Sequence, residues 1–397
     1  MPAHAPIEPR SGRTPVFDAA LISRYDVPGP RYDSYPSALQ FSDAFDADAF
    51  RSAALASNED PIPRDLSVYV HVPSCLSPDC HCGCNRDVPR DRRRGERYFD
   101  HLLREIGKVA TLFDRDRHLV QLHIGGGSPN LLDGSLLRQL LDQLRRCFDL
   151  SCSPQREFAI EVCPRATTPD DIAMLSTLGF NRLSLGIADF CAEMRTAINR
   201  VQGIAETRDL LDAAEQHGFR STSVDLIYGL PLQTPTSFAH TLDLVVAMRP
   251  RLVAIHECAH LPARFCAQRQ IVRHALPDAV IRIELLGLAV EQLCAGSYLH
   301  IGMNQFALPD DDLAVAQRNG TLHHDFQGYS THAQTDLIGL GASSIGHVGN
   351  SCSQNQAELC EYEAALDIDQ LPIWRGLALS DDDLIRADVI QQLMCRG

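Results

Sequence analysis

Four cysteines, Cys75, Cys80, Cys82 and Cys84, fall within ten residues of a 397-residue chain. They follow the alternating apolar run Tyr69-Val70-His71-Val72-Pro73, so the stretch reads as a strand feeding a metal-binding loop. Thiolate is a soft ligand that holds iron-sulfur clusters or zinc, and cysteines crowded in a reducing compartment serve as ligands more often than as disulfides. A zinc site built from all four fits the count, although overlapping C-x-C pairs are unusual for zinc. Further on, the run Gly125-Gly126-Gly127-Ser128-Pro129 lets a ligand approach the backbone, a property that plain glycine turns share. Glu161 and Asp225 are carboxylates at or near the ends of β-type runs, able to accept from hydroxyl or ammonium groups, or to form ordinary surface ion pairs.

Positioning these groups falls to an alternation of strands and helices. Strand patterns cover Leu66 to Val72, Leu119 to Ile124, Phe158 to Val162, Arg182 to Ile187, Ser223 to Tyr228 and Leu252 to His256. Amphipathic segments lie between them, at Tyr98 to Leu112, Ser135 to Phe148, Thr168 to Leu178, Ile204 to His217 and Ser237 to Met248, with a further helix at Ala279 to Ala295. Regular alternation predicts a parallel sheet, and six such units make most of a barrel. In such a sheet ligands gather at the carboxyl edge, where the cysteine loop, the glycine run, Glu161 and Asp225 all fall. The stretch Thr335 to Gly346 is again rich in glycine and is placed to return to that edge, and the last thirty residues read as helical.

The chain's composition narrows the function classes. With 36 basic against 51 acidic residues the net charge is −15, which argues against a nucleic-acid partner. Arg90 to Arg97 is the densest basic run and reads as a solvated helix start or, less readily, an anion patch. The 45% hydrophobic and 22% charged content are those of a globular protein, and no apolar run is long enough to span a bilayer. Without a secretory leader pattern, the 14 cysteines are expected to be reduced in the cytoplasm.

From Tyr25 onward the sequence resembles the oxygen-independent coproporphyrinogen III oxidases, a radical S-adenosylmethionine family of haem biosynthesis. The carriers are Gly29-Pro30-Arg31-Tyr32, Tyr69-Val70-His71-Val72-Pro73, Cys82-Gly83-Cys84-Asn85, Gly125 to Pro129, Gly179-Phe180-Asn181-Arg182-Leu183-Ser184, Asp225 to Pro231, Phe326-Gln327-Gly328-Tyr329 and Trp374-Arg375-Gly376. The resemblance implies an α/β fold, a partial (β/α)6 barrel of the TIM type. It also implies a division into a disordered tail (1–15), an N-terminal substrate-loop and helical extension (16–64), the barrel with its following segment (65–350) and a shortened, helical C-terminal region (351–397).

The same resemblance implies the chemistry. Three cysteines hold a [4Fe-4S] cluster whose open iron chelates S-adenosylmethionine, and the radical formed on reduction starts the oxidative decarboxylation of two propionates of coproporphyrinogen III to vinyl groups, giving protoporphyrinogen IX. Carried over by position, the metal ligands are Cys75, Cys80 and Cys82. Tyr69, Gly126, Glu161 and Ile345 correspond to contacts with the cluster-bound S-adenosylmethionine, Tyr69 and Glu161 being the candidate catalytic positions. Gly127, Ser128, Arg200, Asp225 and Ala259 match contacts with a second S-adenosylmethionine. The implied partners are coproporphyrinogen III and an electron donor such as a flavodoxin or ferredoxin, with no nucleic acid, no membrane span and a monomeric state. The family spaces its ligands C-x3-C-x2-C, whereas this chain reads C-x4-C-x-C with Asp79 at the middle position. Ala188 stands where the family has glutamine, and His256-Glu257-Cys258 where it has Phe-Asn-Tyr. The alternative function is a non-catalytic homologue that binds porphyrin, haem or S-adenosylmethionine.

Overall fold

The computed structural model describes residues 15–26, 35–73, 92–127, 129, 132, 134–198, 203–263 and 266–396. Two helices, α1 (Ala19–Tyr25) and α2 (Ala47–Asn58), precede the sheet. Then come β1 (Leu66–Val72), α3 (Arg92–Ala110), β2 (His118–Gly126), α4 (Gly134–Cys147), β3 (Glu157–Val162), α5 (Pro169–Leu178), β4 (Arg182–Ala188), α6 (Ala192–Ala197), α7 (Ile204–Gln216), β5 (Ser221–Tyr228), α8 (Pro235–Met248), β6 (Leu252–Glu257) and α9 (Ala279–Ala295). Helix starts are set locally. Thr168 and Thr234 close capping boxes on α5 and α8, and each is followed by proline, which has no amide proton to leave unsatisfied in the first turn.

Strands β1 to β6 run parallel in chain order, each paired with the next. This is the architecture expected from the alternation of strand and helix patterns, and helical crossovers are what parallel neighbours require. Side chains alternate across each strand. Val68, Leu122, Ile160, Leu185 and Leu226 face one way and are all fully buried in the main core. Gln121, Glu157, Glu161, Ser184, Ser223 and Asp225 face the other way and line the concave side.

Most of the remaining strands extend this sheet at both edges, and one antiparallel pair, His323–Asp325 with Gly328–Ser330, forms a separate two-stranded sheet. These strands are β7 (Leu299–Gly302), β8 (Gln305–Ala307), β9 (His323–Asp325), β10 (Gly328–Ser330), β11 (Asp336–Leu340), β12 (Ile345–Val348), β13 (Ser351–Asn355) and β14 (Ile373–Ala378), with helices α10 (Asp312–Asn319), α11 (Leu359–Asp367) and α12 (Asp381–Arg396). The order is β14-β13-β12-β11-β1-β2-β3-β4-β5-β6-β8-β7, so the barrel stays open. β11 lies parallel to β1, whereas β12 to β14 and β8 to β7 are antiparallel additions outside the parallel core. The glycine-rich stretch therefore does return beside β1. The C-terminal stretch differs from its all-helical expectation, because β13 and β14 continue the sheet before α12 begins. Gly376 allows this: a Cβ there would lie 2.4 Å from the Phe45 ring, so only glycine admits the ring against the strand. Among the described residues no helix is long and apolar enough to cross a membrane.

At the amino edge a buried ion pair locks β1 and β11 to the start of β2. Arg117 Nη2 meets Asp336 Oδ2 at 2.5 Å, both side chains 2% exposed. Its other donors reach the Arg64 carbonyl, Ser57 and Asn58, and Asp336 also accepts from the Gly349 amide. Arg117→Leu strands the Asp336 carboxylate in the core. We expect a loss of about 3–5 kcal/mol in urea unfolding, and a loss under about 1 kcal/mol would place the pair among those that contribute little.

Candidate active site

The inward-facing residues of β2 to β6 line a cavity of about 250 Å³. Its floor is ionic. Glu157 accepts from Arg182 at 3.1 Å, from the Thr331 hydroxyl at 2.6 Å and from Gln121 and Ser330. Burial pushes the Glu157 carboxyl up, but Arg182 and the Thr331 hydrogen bonds outweigh it and hold the group below its usual range. The β9–β10 turn closes the same floor with Gln327, Gly328 and Tyr329.

Toward the carboxyl edge lies Glu161. Its Oε1 meets His123 Nε2 at 2.9 Å and its Oε2 accepts from the Gly126 amide at 3.2 Å. The carboxylate sits deep in the protein yet faces the cavity, which leaves its side chain 36% exposed. Burial raises its pKa, while the hydrogen bond and charge of His123, the Gly126 amide and His71 more than offset this, so it titrates below an ordinary glutamate. A Cβ on Gly125 would lie 2.4 Å from Glu161 Oε1, so a residue without a side chain is what lets the carboxylate reach the strand end.

Gly126 carries a second requirement. Its φ is +114°, and a Cβ there would fall 2.7 Å from the His71 ring and 2.9 Å from the Val72 carbonyl. Gly126→Ala is expected to cost at least about 2 kcal/mol through left-handed strain and the displaced ring. Chemical denaturation checks this, and a loss below about 0.5 kcal/mol would refute the close packing.

Tyr69 and His71 stand on the same face of β1. The Tyr69 hydroxyl is 3.3 Å from His71 Nδ1, and its ring packs 5.5 Å from that of His123. Burial raises the Tyr69 pKa and pushes that of His71 down to about 4, so both are neutral at pH 7. His71 Nε2 has no hydrogen-bond partner among the described residues. Asp225 faces the cavity from β5, one oxygen accepting from Ser184 at 2.7 Å and the other from Ser223 at 2.9 Å.

Of the residues singled out from sequence, Tyr69, Gly126, Glu161 and Asp225 share this carboxyl half of the barrel. Gly127 adjoins them, its amide donating to the Val72 carbonyl at 2.9 Å. Ile345 opens β12 on the opposite flank of β1. Gly339 is in register with Tyr69, and a Cβ on Gly339 would lie 2.6 Å from the Ile345 carbonyl. Ala259 follows the end of β6, its carbonyl accepting from Gln268. Cys75, Cys80, Cys82, Cys84, Ser128 and Arg200 lie outside the described residues. Sequence reasoning missed His123, Ser184, Ser223 and Gln327. For His123, Ser184 and Ser223 the signal was the polar residue at every second position of otherwise apolar strands, whereas Gln327, in the turn between His323–Asp325 and Gly328–Ser330, carried none.

A carboxylate, a bare glycine backbone and an unpaired imidazole nitrogen converge beside the root of the cysteine loop. That donor and acceptor set fits the amino, carboxylate and ribose groups of S-adenosylmethionine. A family model described as the radical SAM superfamily matches residues 80–245, and that chemistry rests on a [4Fe-4S] cluster and S-adenosylmethionine. Among curated proteins, the oxygen-independent coproporphyrinogen III oxidase of Pseudomonas aeruginosa is 45% identical over 383 residues, covering 96% of this chain and 82% of that protein. The Escherichia coli protein of the same name is 44% identical over 379 residues, covering 96% and 81%. Among solved structures, Escherichia coli coproporphyrinogen III oxidase, described as a radical SAM enzyme, matches with a TM-score of 0.90 at 42% identity, over 97% of this chain and 85% of that one. The chain belongs to the oxygen-independent coproporphyrinogen III oxidase family.

Proposed function

We propose that this chain is a radical S-adenosylmethionine oxidoreductase that decarboxylates two propionates of coproporphyrinogen III to vinyl groups, giving protoporphyrinogen IX. The carrying observation is 45% identity, over 96% of the chain, with a protein named for that activity, joined to the convergence of Tyr69, Gly126 and Glu161 at one cavity edge. When bound, the cluster and S-adenosylmethionine supply the one-electron chemistry that removes hydrogen from the substrate side chain.

The chain's own residues bind, orient and exclude water. Cys75, Cys80 and Cys82 hold the cluster. Glu161, kept ionised by His123 and Gly126, receives the ammonium of S-adenosylmethionine, and the Gly126 backbone lets the methionine portion lie against the sheet. Tyr69, in register with Gly339 and neutral at working pH, and Ile345 would also contact the cluster-bound S-adenosylmethionine. A second S-adenosylmethionine is held by Gly127, Ser128, Arg200, Asp225 and Ala259. The Ser184 and Ser223 hydroxyls fix the Asp225 carboxylate toward the cavity, which supports that reading. The protein works as a cytoplasmic monomer and takes electrons from a flavodoxin or ferredoxin.

One observation favours a second reading, a porphyrin-, haem- or S-adenosylmethionine-binding protein without catalysis: the C-x4-C-x-C spacing. Anaerobic reconstitution separates the two. The enzyme reading expects about four irons and four sulfides per chain, 5′-deoxyadenosine on reduction, and protoporphyrinogen from coproporphyrinogen III. Tight porphyrin binding with no iron and no cleavage would defeat it.

A further inference from the structure

Behind β11 lies a carboxyl group that does not line the cavity. Glu105 of α3 is 1% exposed. Its Oε2 accepts from the Gly341 amide at 2.8 Å and the Tyr362 hydroxyl at 2.6 Å, and its Oε1 accepts from Asn355 Nδ2 at 2.6 Å. Asn355 also donates to the Gly341 carbonyl at 2.9 Å. Seven residues earlier on α3, the Tyr98 hydroxyl donates to the His71 carbonyl at 2.7 Å and accepts from the Ala342 amide at 3.1 Å. These groups meet at Gly341, where φ is +92° and a Cβ would fall 2.5 Å from the Tyr98 oxygen and 2.6 Å from the His71 oxygen.

Two flanks of the site are tied at this point. His71 lies two residues after Tyr69 and four before Cys75, while Gly341 lies four residues before Ile345. We infer that Glu105, acting through Gly341 and Tyr98, is the positioning residue that sets the end of β1 against the Gly341–Ile345 turn and so shapes the S-adenosylmethionine cradle. The inference rests on the site reading above.

Burial outweighs the lowering pull of Tyr362, Gly341 and Asn355 and leaves the Glu105 pKa raised to about 7. The titratable groups around it are Tyr98 on its own helix, Tyr362 and Glu363 on α11, and His71 on β1 beyond Tyr98. The sign follows from the raised value. The stabilisation from protonated Glu105 is fully present below about pH 4.5 and is lost as pH rises through about 7, so the tie to Gly341 loosens over that range.

The test is hydrogen exchange on the full chain, together with S-adenosylmethionine affinity of the reconstituted protein from pH 6 to 9. In the wild type, amides of Tyr69–Val72 and Gly341–Ile345 lose protection together as pH rises through about 7, after correction for intrinsic exchange. Glu105→Gln is expected to speed exchange in both segments about tenfold, weaken affinity about tenfold and remove the pH step. Tyr98→Phe releases the β1 segment and keeps the step at Gly341. Tyr362→Phe, which keeps the ring packed and removes one donor, gives the two-segment signature at smaller amplitude even if Glu105→Gln folds poorly. Exchange confined to Gly341–Ile345 in Glu105→Gln or Tyr362→Phe, or affinity within twofold of wild type, overturns the inference. A wild type that does not bind S-adenosylmethionine overturns the site reading instead, and the exchange coupling stands or falls separately.

Discussion

Glu161→Gln removes S-adenosylmethionine binding and cleavage by at least about 100-fold while the fold survives. The size follows from truncating one partner of an enclosed, hydrogen-bonded charge pair, which costs about 2–5 kcal/mol, with each 1.4 kcal/mol worth about a decade. Glutamine keeps the shape but turns an amide toward either His123 or Gly126, both of which now donate to the carboxylate. Stability should therefore fall by about one unsatisfied hydrogen bond, roughly 1–3 kcal/mol. Glu161 titrates below the ordinary range, so its stabilising contribution is present above the unfolded value near 4.5 and fades only as pH falls through the lower folded value. The binding defect of the glutamine variant should accordingly stay constant from pH 6 to 8. A variant that binds S-adenosylmethionine within threefold of wild type would remove Glu161 from the site.

The parallel core was legible because its signal is local. Each of β1 to β6 is a short β-type run followed by an amphipathic segment, and this alternation leaves few topologies open. What escaped was the inner face. His123 is flanked in β2 by Leu122 and Ile124, and a histidine between two apolar residues usually reads as a core residue. Ser184, Ser223 and Asp225 become one constellation only when β4 and β5 are in register. β13 escaped for another reason: Ser351-Cys352-Ser353-Gln354-Asn355 has little intrinsic strand preference and is held as a strand by its neighbours β12 and β14. Glu105 was hidden most completely. Its pattern position is that of any polar residue on a helix, and its partners Gly341 and Asn355 lie 236 and 250 residues away.

The cysteine register carries the sharpest expected effect. Cys75→Ala, Cys80→Ala and Cys82→Ala should each reduce bound iron to below about a tenth of wild type, since three thiolates are the minimum for a cluster with one open iron, whereas Cys84→Ala should retain most of it. The root of the loop is fixed. The His71 carbonyl is held by Tyr98 and the Val72 carbonyl by the Gly127 amide, and Cys75 follows three residues later. Placing the second cysteine one residue late displaces it by up to about 3.5 Å along the chain, against a tolerance of about 0.2 Å in a metal-ligand bond. Asp79→Cys with Cys80→Phe and His81→Tyr restores the C-x3-C-x2-C spacing without changing loop length. If Cys80 is a true ligand, the native chain already binds four irons and the triple variant gains little. If only the triple variant binds iron and cleaves S-adenosylmethionine, the native loop is a disabled motif. Loss of iron in Cys84→Ala with retention in Cys80→Ala would instead make Cys84 the third ligand.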